Sequence, residues 1–357
     1  MSIDKDKGDR KLFEFGIYTL GDLAPDAVTG HEMSAKQRLR EIVDAAKLAD
    51  EAGIEVFGVG EHHRLDFAVS SPPVVLAAIA QVTSHIRLTS ATTVLGTADP
   101  VRVFEDFATL DLLSDGRAEI ISGRGAFIES FPLFGYSLDD YRELFKEKMS
   151  LLTKLNESER ITWNGNMRPA LNDCEIAPRP DQARLPLWVG VGGTVASAEL
   201  AGEMGAGMTL AILGGDPGRF RHLVEAYRSA GKAAGHAEQS LRVAITGHCY
   251  IGDTTQQALD EFYPYYSHYY SQFMGGEQLS KAEYEKLAGP DTALFIGSAE
   301  DIAAKIIAQH KLFGHMRFMA QMDIGGMPFA KVAASIELLA KQVAPIVRRE
   351  LAAGGLV

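Results

Sequence analysis

Apolar runs alternate with amphipathic stretches along the whole 357-residue chain. Eight of the runs are rich in β-branched or aromatic residues and show little apolar–polar alternation, which is the pattern of strands buried on both faces. The segments between them carry apolar residues at helical spacing. The pattern predicts eight strands, at residues 12–20, 56–60, 86–95, 118–122, 187–191, 208–213, 241–251 and 317–322.

Helix-boundary residues agree with this division. Ser34 and Gln37 match a capping box at a helix start, and Gly53 matches the glycine that commonly ends a helix. Pro72 and Pro100 stand where two further helices begin, because proline is favoured in a first helical turn. Helical spacing also predicts a short helix ending at Met204 and longer helices at residues 138–155, 216–234, 298–313 and 328–351.

Eight strand–helix units predict an α/β fold in which helices cover a parallel sheet. The number eight favours closure into a (β/α)8 TIM barrel, with an open doubly wound sheet as the alternative. Two long intervals, 125–186 and 252–295, predict insertions after strands four and seven. No stretch has the composition of a linker. Residues 1–357 are therefore predicted to form one domain, with a disordered lead at 1–11 and a mobile insertion at 252–296.

Composition and charge narrow the possible functions. The formal net charge of −12 argues against nucleic acid or an anionic membrane as the main partner. Two cysteines, Cys174 and Cys249, are too few for a disulfide framework or a cysteine-based metal site. The N-terminus lacks an apolar signal segment, and no apolar run approaches the length of a membrane span. We expect a cytoplasmic enzyme without a metal, a nucleic-acid partner or a membrane anchor.

Unusual residues follow the ends of several predicted strands, where the active site of such a barrel lies. Glycine-rich strand ends, a helix beginning beside Thr194 and the Arg124 guanidinium together predict a bound phosphate. The groups in question are Glu61-His62-His63 after strand two, Gly123-Arg124-Gly125 after strand four, Gly192-Gly193-Thr194 after strand five and Gly214-Gly215 after strand six.

Each of these features also has a structural explanation. Glycine after a strand often only permits a turn, Arg124 could be ion-paired, and either of His62 and His63 could be a packing residue. The aromatic tract at residues 262–273 is expected to pack in the core or in a lid. The residues by themselves therefore predict a barrel enzyme that binds a phosphate or a phosphorylated cofactor, with its chemistry open.

Four longer motifs carry a resemblance to a known family. They are VGEHH, TSATTVLGTADPVRVFEDFATLDLLSDGR, GRG followed by FIESFPLFGYSLDDYRELF, and DIGGMPFAKVAASIELLAKQVAP. In this order and spacing, the chain resembles the bacterial luciferase-like family of flavin-dependent monooxygenases over nearly its whole length. The resemblance implies a (β/α)8 barrel that binds FMN, with reduced FMN as the working form. It also implies insertion of one oxygen atom from O2 into a small organic substrate, such as an aldehyde or an alkane, through a flavin C4a-peroxide.

The resemblance also assigns roles to particular residues. His62 matches the family's catalytic histidine, with Glu61 beside it. Tyr18, Ala211 and Ile212 match positions near the substrate. The cofactor-binding positions are Ala91 and Thr92, which match a non-prolyl cis peptide under the flavin ring, Arg124 and Arg142, which match phosphate-contacting arginines, and the loop residues Gly123, Gly192, Gly193 and Thr194.

Three departures from the family pattern argue against light emission. Gly123 stands where the luciferases have a reactive cysteine, and Gly192-Gly193 stand where they have an acid and a serine. Ala211-Ile212 replace tryptophans of the light-emitting enzymes. Backbone amides can replace side-chain donors to a phosphate, so flavin binding is still expected.

The implied partners are a small organic substrate, O2 and a separate flavin reductase that supplies reduced FMN. A homodimer formed through helices two and three is also expected from the resemblance. Two alternatives stay open, namely a deazaflavin-dependent hydride-transfer oxidoreductase and a non-catalytic flavin-binding protein. Retention of Glu61-His62-His63 argues against the second.

Overall fold

Eight parallel strands close into a barrel in the computed structural model, which describes residues 13–125, 127–273 and 276–355. Its strands are Glu14–Thr19 (β1), Val56–Val59 (β2), Arg87–Ser90 (β3), Ala118–Gly123 (β4), Leu187–Val191 (β5), Gly207–Ala211 (β6), Val243–Ile251 (β7) and Arg317–Gln321 (β8). Each strand pairs with the next one in the chain, and β8 pairs with β1 to close the ring. The predicted (β/α)8 barrel is confirmed, and the open-sheet alternative is wrong. The predicted lead at 1–11 lies outside the described residues.

Helices surround the barrel, and the first ones begin where the sequence predicts. The Ser34 hydroxyl accepts a hydrogen bond from the Gln37 amide, and Gly53 ends the helix with φ at 84°. None of the helices in the described ranges is both long and apolar enough to cross a membrane. The helices are Ala35–Ala52 (α1), Pro72–Ala80 (α2), Pro100–Leu113 (α3), Ser130–Phe134 (α4), Tyr141–Glu157 (α5), Val195–Glu203 (α6), Arg221–Ala233 (α7), Thr255–Phe273 (α8), Lys281–Leu287 (α9), Ala299–Phe313 (α10), Phe329–Leu338 (α11) and Ala344–Ala353 (α12).

Additional elements fill the two long intervals. After β4 come α4, α5 and an antiparallel hairpin formed by Arg160–Trp163 and Leu171–Glu175. After β7 come α8, α9 and a short strand, Phe295–Gly297, which pairs in parallel with β7. Both intervals therefore contain elements beyond the eight strand–helix units, and their description as insertions stays a prediction. The aromatic tract lies in α8, a helix that the sequence did not predict.

Strand three is shorter than the sequence predicts. Predicted at residues 86–95, it ends at Ser90, and pairing resumes at Thr93–Val94 against the end of β4. Between the two pieces, the peptide bond joining Ala91 to Thr92 is cis. The last helix is also divided, because a π-helical segment at Leu339–Val343 separates α11 from α12.

The core has two parts, because successive residues of a strand face opposite sides of the barrel wall. A large apolar cluster lies between the barrel and its helices. A smaller cluster fills the barrel interior and contains Tyr18, Val56, Ile121, Trp188, Ala244 and Met319. Below it, the Arg317 guanidinium donates hydrogen bonds to Glu119 and Glu14, both at 2.7 Å. These buried charges at the N-terminal end of the barrel are paired, because an unpaired charge would cost much free energy in the interior.

Candidate active site at the C-terminal end of the barrel

A cavity of about 300 Å³ lies at the C-terminal ends of the barrel strands. Its position agrees with the expectation for a (β/α)8 barrel, in which the loops after the strands build the site. It is lined by Tyr18, Leu20, Ala91, Thr92, Ile121, Gly123, Arg124, Gly125, Tyr141, Gly190, Val191, Gly192, Thr194, Thr209, Ala211, Leu213, Thr246, Tyr269, Met319 and Gln321.

A larger cavity of about 1060 Å³ opens at the opposite, N-terminal end of the barrel. Paired charges such as Arg317 and Glu14 line it, and it borders Phe13, the first residue of the described part of the chain. None of the sequence-predicted site residues lines this cavity. The smaller cavity is therefore the candidate site, because the predicted site residues lie there, although the other cavity has the larger volume.

The structure brings most of the predicted site residues together at the smaller cavity. Eight of them line its wall, and the other five do not. The lining residues are Tyr18, Ala91, Thr92, Gly123, Arg124, Gly192, Thr194 and Ala211, whereas Glu61, His62, Arg142, Gly193 and Ile212 lie beside or behind it.

Glycines at neighbouring strands make room for the Ala91–Thr92 segment. The Ala91 amide donates to the Val59 carbonyl at 2.7 Å, which ties the segment to the end of β2. A Cβ placed on Gly123 would lie only 2.4 Å from the Thr92 hydroxyl oxygen, and one on Gly190 only 3.0 Å from the Thr92 methyl carbon. Close packing against Thr92 therefore explains the glycine at position 123, for which the sequence suggested turn geometry and the family resemblance implied a cofactor-binding position.

Arg124 and Thr194 form the polar end of the cavity. The Arg124 guanidinium donates to the Thr194 hydroxyl at 2.9 Å, and its central carbon lies 5.1 Å from the centroid of the Tyr141 ring. Thr194 is the N-cap residue of α6, and its side chain makes no capping bond to the helix. Added Cβ atoms at Gly192 and Gly193 would meet nothing within 4 Å. This end therefore combines a guanidinium, free space and a helix N-terminus, which suits a phosphate group.

Arg142 reaches the same end from outside the cavity. It lines an adjoining recess of about 260 Å³ together with Arg124. Lys146 adds a further positive charge, and Glu199 adds a negative one. Gly193, with φ at 150°, turns away from the cavity and lines a different surface recess beside Gly214. Two arginines therefore flank the Thr194 end, one inside the cavity and one in the recess next to it.

The Glu61-His62-His63 segment packs behind the wall of the cavity. The Glu61 carboxylate accepts a hydrogen bond from the Val94 amide at 2.9 Å, so it holds the chain just after the cis peptide. Its second oxygen lies 2.9 Å from Nε2 of His63. The segment follows β2 as a loop, because the strand ends at Val59.

His62 is 8% exposed, and its ring lies against Phe67 and Phe127 with centroids 4.2 and 5.0 Å away. Its Nδ1 lies 3.6 Å from a carboxylate oxygen of Glu129. Burial lowers the pKa of His62 below its ordinary value, and the Glu129 carboxylate opposes this shift. The imidazole is therefore held near a carboxylate in its neutral form, which is the state required of a general base.

The opposite side of the cavity is made by β1, β6, β7 and β8. Tyr18 lines it, and its hydroxyl shares a hydrogen bond with Thr246. Burial raises the pKa of Tyr18, so the phenol stays protonated. Ala211 also lines the cavity, but Ile212 belongs to the outer apolar cluster and is fully buried there. The expectation that both Ala211 and Ile212 face the substrate is corrected, since adjacent strand residues point in opposite directions.

Sequence reasoning missed four polar or aromatic cavity residues on this side. Three are polar residues that interrupt apolar strands at inward-facing positions, and the fourth belongs to the aromatic tract of α8. The sequence does show a polar residue near the C-terminal end of each of these apolar strands. Only the strand register reveals that these residues face inward. These residues are Thr209, Thr246, Gln321 and Tyr269.

Comparison with known proteins agrees with this geometry. The family model of luciferase-like monooxygenases matches residues 13–316. The oxygenase component of flavin-dependent trigonelline monooxygenase from Acinetobacter baylyi is 22% identical over 334 residues, which cover 88% of this chain and 91% of that protein. The crystal structure of the monooxygenase RslO1 from Streptomyces bottropensis superposes with a TM-score of 0.81 at 25% identity, covering 93% of this chain and 99% of that one.

A relative with a different cofactor is similar over a shorter length. The F420-dependent glucose-6-phosphate dehydrogenase of Amycolatopsis mediterranei is 30% identical over 191 residues, covering 50% of this chain and 55% of that protein. Flavin-dependent monooxygenases and F420-dependent oxidoreductases are thus both among the similar proteins. The family match over most of the chain, together with the closed barrel and its C-terminal cavity, shows that this chain belongs to the luciferase-like monooxygenase family.

Proposed function

We propose that this protein is the oxygenase component of a two-component, FMN-dependent monooxygenase. A separate flavin reductase would supply reduced FMN, and one oxygen atom of O2 would be inserted into a small organic substrate. The observation that carries the proposal is the Arg124–Thr194 contact at the polar end of the cavity, beside the N-terminus of α6. This end suits a phosphate, and the rest of the cavity has mostly uncharged walls.

Residues of this chain would hold the cofactor in the following way. Arg124 would donate to the phosphate from inside the cavity, and Arg142 would add positive charge from the adjoining recess. The amides at the start of α6, behind Gly192 and Thr194, would complete the phosphate site. Ala91 and Thr92 would form the wall under the ring system. When bound, reduced flavin supplies the two electrons that oxygen activation requires.

The remaining site residues would bind substrate and manage protons. Tyr18 and Ala211 would contact the substrate on the side opposite Arg124. His62 would accept or return a proton, and Glu129 would hold its imidazole in place. Glu61 would act through position, because its carboxylate holds the Val94 amide. Ile212 and Gly193 do not enter this proposal, because Ile212 lies in the outer apolar cluster and Gly193 lines a different surface recess.

The insertion after β7 would exclude water from the reaction. Its helix α8 places Tyr269 in the wall of the cavity, and the rings of Tyr266 and Tyr269 lie 6.3 Å apart above the strand ends. Exclusion of water protects reactive oxygen species from side reactions. Movement of residues 252–296 during turnover stays a prediction.

Pairing of two chains is proposed from the surface of α2 and α3. Val74 on α2 and Leu113 on α3 are 69% and 51% exposed. A homodimer through these helices would cover them. Light scattering of the purified protein should give twice the chain mass, and Val74→Asp should shift it toward the mass of one chain.

A second candidate is hydride transfer with the deazaflavin F420, favoured by the similarity to F420-dependent glucose-6-phosphate dehydrogenase. Both cofactors carry a phosphate and a ring system, so the site described above could bind either. Oxygen insertion and hydride transfer differ in their need for O2, and this difference separates the two candidates.

The purified protein would first be titrated with FMN, riboflavin and F420, and calorimetry would measure the binding of each. The protein would then be mixed with chemically reduced FMN, ¹⁸O2 and a panel of small aldehydes, ketones and phenols. The proposal expects FMN to bind more tightly than riboflavin and F420, and a product that carries one ¹⁸O atom. Preferred binding of F420, with substrate oxidation that proceeds without O2, would instead establish the second candidate.

A further inference from the structure

Three neutral polar side chains line the cavity on the side opposite Arg124, and a fourth lies directly behind them; we term this set the neutral wall. It consists of Thr209 on β6, Thr246 and His248 on β7, and Gln321 on β8. We propose that the neutral wall selects uncharged substrates and binds them by hydrogen bonds to a carbonyl or hydroxyl oxygen. This inference rests on the proposed function and adds the class of substrate to it.

Strand register brings these residues to one side of the barrel. Thr246 pairs in register with Ala211 of β6 and with Met319 of β8, both of which line the cavity. His248 pairs with Gln321 one inward-facing position further along. Residues two apart on a strand face the same side, so His248 lies on the same face of β7 as Thr246.

Two members of the neutral wall lack hydrogen-bond partners within the described part of the chain. The hydroxyl oxygen of Thr209, a residue only 5% exposed, lines the cavity without a partner. Both ring nitrogens of His248, which is 2% exposed, are likewise unpaired. Buried polar groups are nearly always hydrogen-bonded in folded proteins. Such groups at a cavity wall therefore point to a ligand that supplies the missing partner.

Aromatic rings pack against His248, and the two ring nitrogens of His248 are polar atoms among these rings. The ring of Tyr269 meets it edge-on, with centroids 5.0 Å apart and an angle of 85°, and the ring of Tyr266 lies at 5.8 Å. Tyr269 lines the cavity, so His248 lies directly behind the cavity wall at this point. A substrate that packs against Tyr269 is therefore separated from the imidazole by that one ring.

The charge of this region excludes anionic substrates. Burial lowers the pKa of His248 to about 4, so the imidazole is neutral at pH 7. Arg38, in the layer behind β1 and β8, is already paired with Asp323 at 2.6 Å and lies 3.6 Å from Asp22. Among the described residues that line the cavity, Arg124 is the only one with a positive charge, and it stands at the phosphate end. A carboxylate placed against the neutral wall would therefore be buried without a counter-charge.

A neutral oxygen fits the same groups. The Thr209 hydroxyl can donate a hydrogen bond to a carbonyl or hydroxyl oxygen. A neutral imidazole carries one donor and one acceptor, so His248 can serve a ketone as donor or a phenol as acceptor. A site built to hydrogen-bond a substrate group discriminates strongly against analogues that lack it, because its own polar atoms then stay unpaired.

The test compares three probes that share a benzene ring: acetophenone, benzoate and toluene. Their affinities for the purified protein would be measured by ligand-observed NMR, both with and without FMN. Acetophenone should bind at least about tenfold more tightly than benzoate and toluene. Equal or tighter binding of benzoate, or no binding of acetophenone, would overturn the proposal.

Two variants test the assigned atoms, and a third is the matched control. Thr209→Val keeps the shape of the side chain, and His248→Leu removes both ring nitrogens with little change in volume; each should weaken acetophenone binding about tenfold, while toluene binding stays unchanged. Because these atoms are unpaired in the free protein, neither variant should lower the Tm. Thr89→Val removes a hydroxyl from a fully buried strand residue that does not line the cavity, and it should leave acetophenone binding unchanged.

These measurements distinguish a failure of the neutral-wall proposal from a failure of the proposed function. Failure of FMN to bind, with the acetophenone preference and its loss in Thr209→Val intact, would refute the proposed function and support the neutral wall. FMN binding together with ¹⁸O insertion into anionic substrates would support the proposed function and refute the neutral wall. A fall in Tm together with an equal loss of all three probes would show that Thr209 only maintains the structure, and would overturn its assignment.

Discussion

The side chain of Thr92 occupies the space that a side chain at position 123 would need, because a Cβ on Gly123 would lie 2.4 Å from the Thr92 hydroxyl oxygen. Thr92 lies just after β3 and Gly123 is the last residue of β4; the two strands are neighbours in the barrel and are separated in the chain by α3. Gly123 and the Ala91–Thr92 segment therefore form one packing unit at the edge of the cavity.

Gly123→Ala should destabilise the protein by about 1–3 kcal/mol, because the new methyl group must displace Thr92. Adding Thr92→Ala should recover most of this loss, since the contacting hydroxyl is then absent. Urea unfolding of the single and double variants measures both effects. Gly192→Ala is the matched control, because an added Cβ there meets nothing within 4 Å, and its stability should change by less than about 0.5 kcal/mol. A double variant no more stable than Gly123→Ala would contradict the packing explanation.

Arg124→Met should weaken FMN binding about 10- to 100-fold and leave riboflavin binding nearly unchanged, because only FMN carries the phosphate that the guanidinium would contact. Calorimetric titration with both flavins gives the comparison. Arg221→Met, which removes an exposed arginine paired with Glu225, should affect neither flavin. An equal loss of both flavins in Arg124→Met would mean that the residue shapes the cavity and does not bind the phosphate.

Glu129→Gln should lower the pKa of His62 further. Burial already lowers that pKa, and the Glu129 carboxylate, 3.6 Å from Nδ1, is the main group that opposes the shift. Because the substitution removes the negative charge, the neutral imidazole should persist to a lower pH. An NMR titration of the His62 ring protons measures the change directly. If His62 serves as the base, the acidic limb of the pH–rate profile should move to lower pH by the same amount. Glu143→Gln, on α5, is the control, and an upward shift in Glu129→Gln would contradict the electrostatic account.

His315→Phe should make the stability less dependent on pH below neutrality. Burial lowers the pKa of His315 to about 3 from an ordinary value of 6.5. Between these values the unfolded chain binds one more proton than the folded protein, so the free energy of unfolding falls as the pH falls. One such proton corresponds to about 1.4 kcal/mol per pH unit.

Urea unfolding at pH 6.5 and 5.0 should therefore show a loss about 1–2 kcal/mol smaller in His315→Phe than in the unsubstituted protein. Only the change with pH is compared, because the larger phenylalanine ring also alters the packing against Phe13, whose centroid lies 5.3 Å from that of His315. His85→Gln, at an imidazole whose side chain is 88% exposed, is the control and should not change the slope. Identical slopes in His315→Phe and the unsubstituted protein would show that His315 does not contribute.

Local patterns in the sequence were sufficient for the architecture. Eight apolar runs separated by helical spacing, with Ser34 and Gly53 at helix boundaries, describe the (β/α)8 barrel correctly. The family resemblance placed the cis peptide at Ala91–Thr92. It also placed Arg124 and Thr194 in a single site. These features depend on short-range periodicity and on motifs, and both are patterns of residues that lie close together in the sequence.

Tertiary structure alone decided which residues share the cavity. Closure and register of the barrel bring Thr209, Thr246 and Gln321 to the wall opposite Arg124, although no motif marks them. The same register sends Ile212 into the outer core and leaves His62 behind the wall. A strand's side-chain period is two, so one position of register decides between core and site, and that position is set by contacts between strands far apart in the chain.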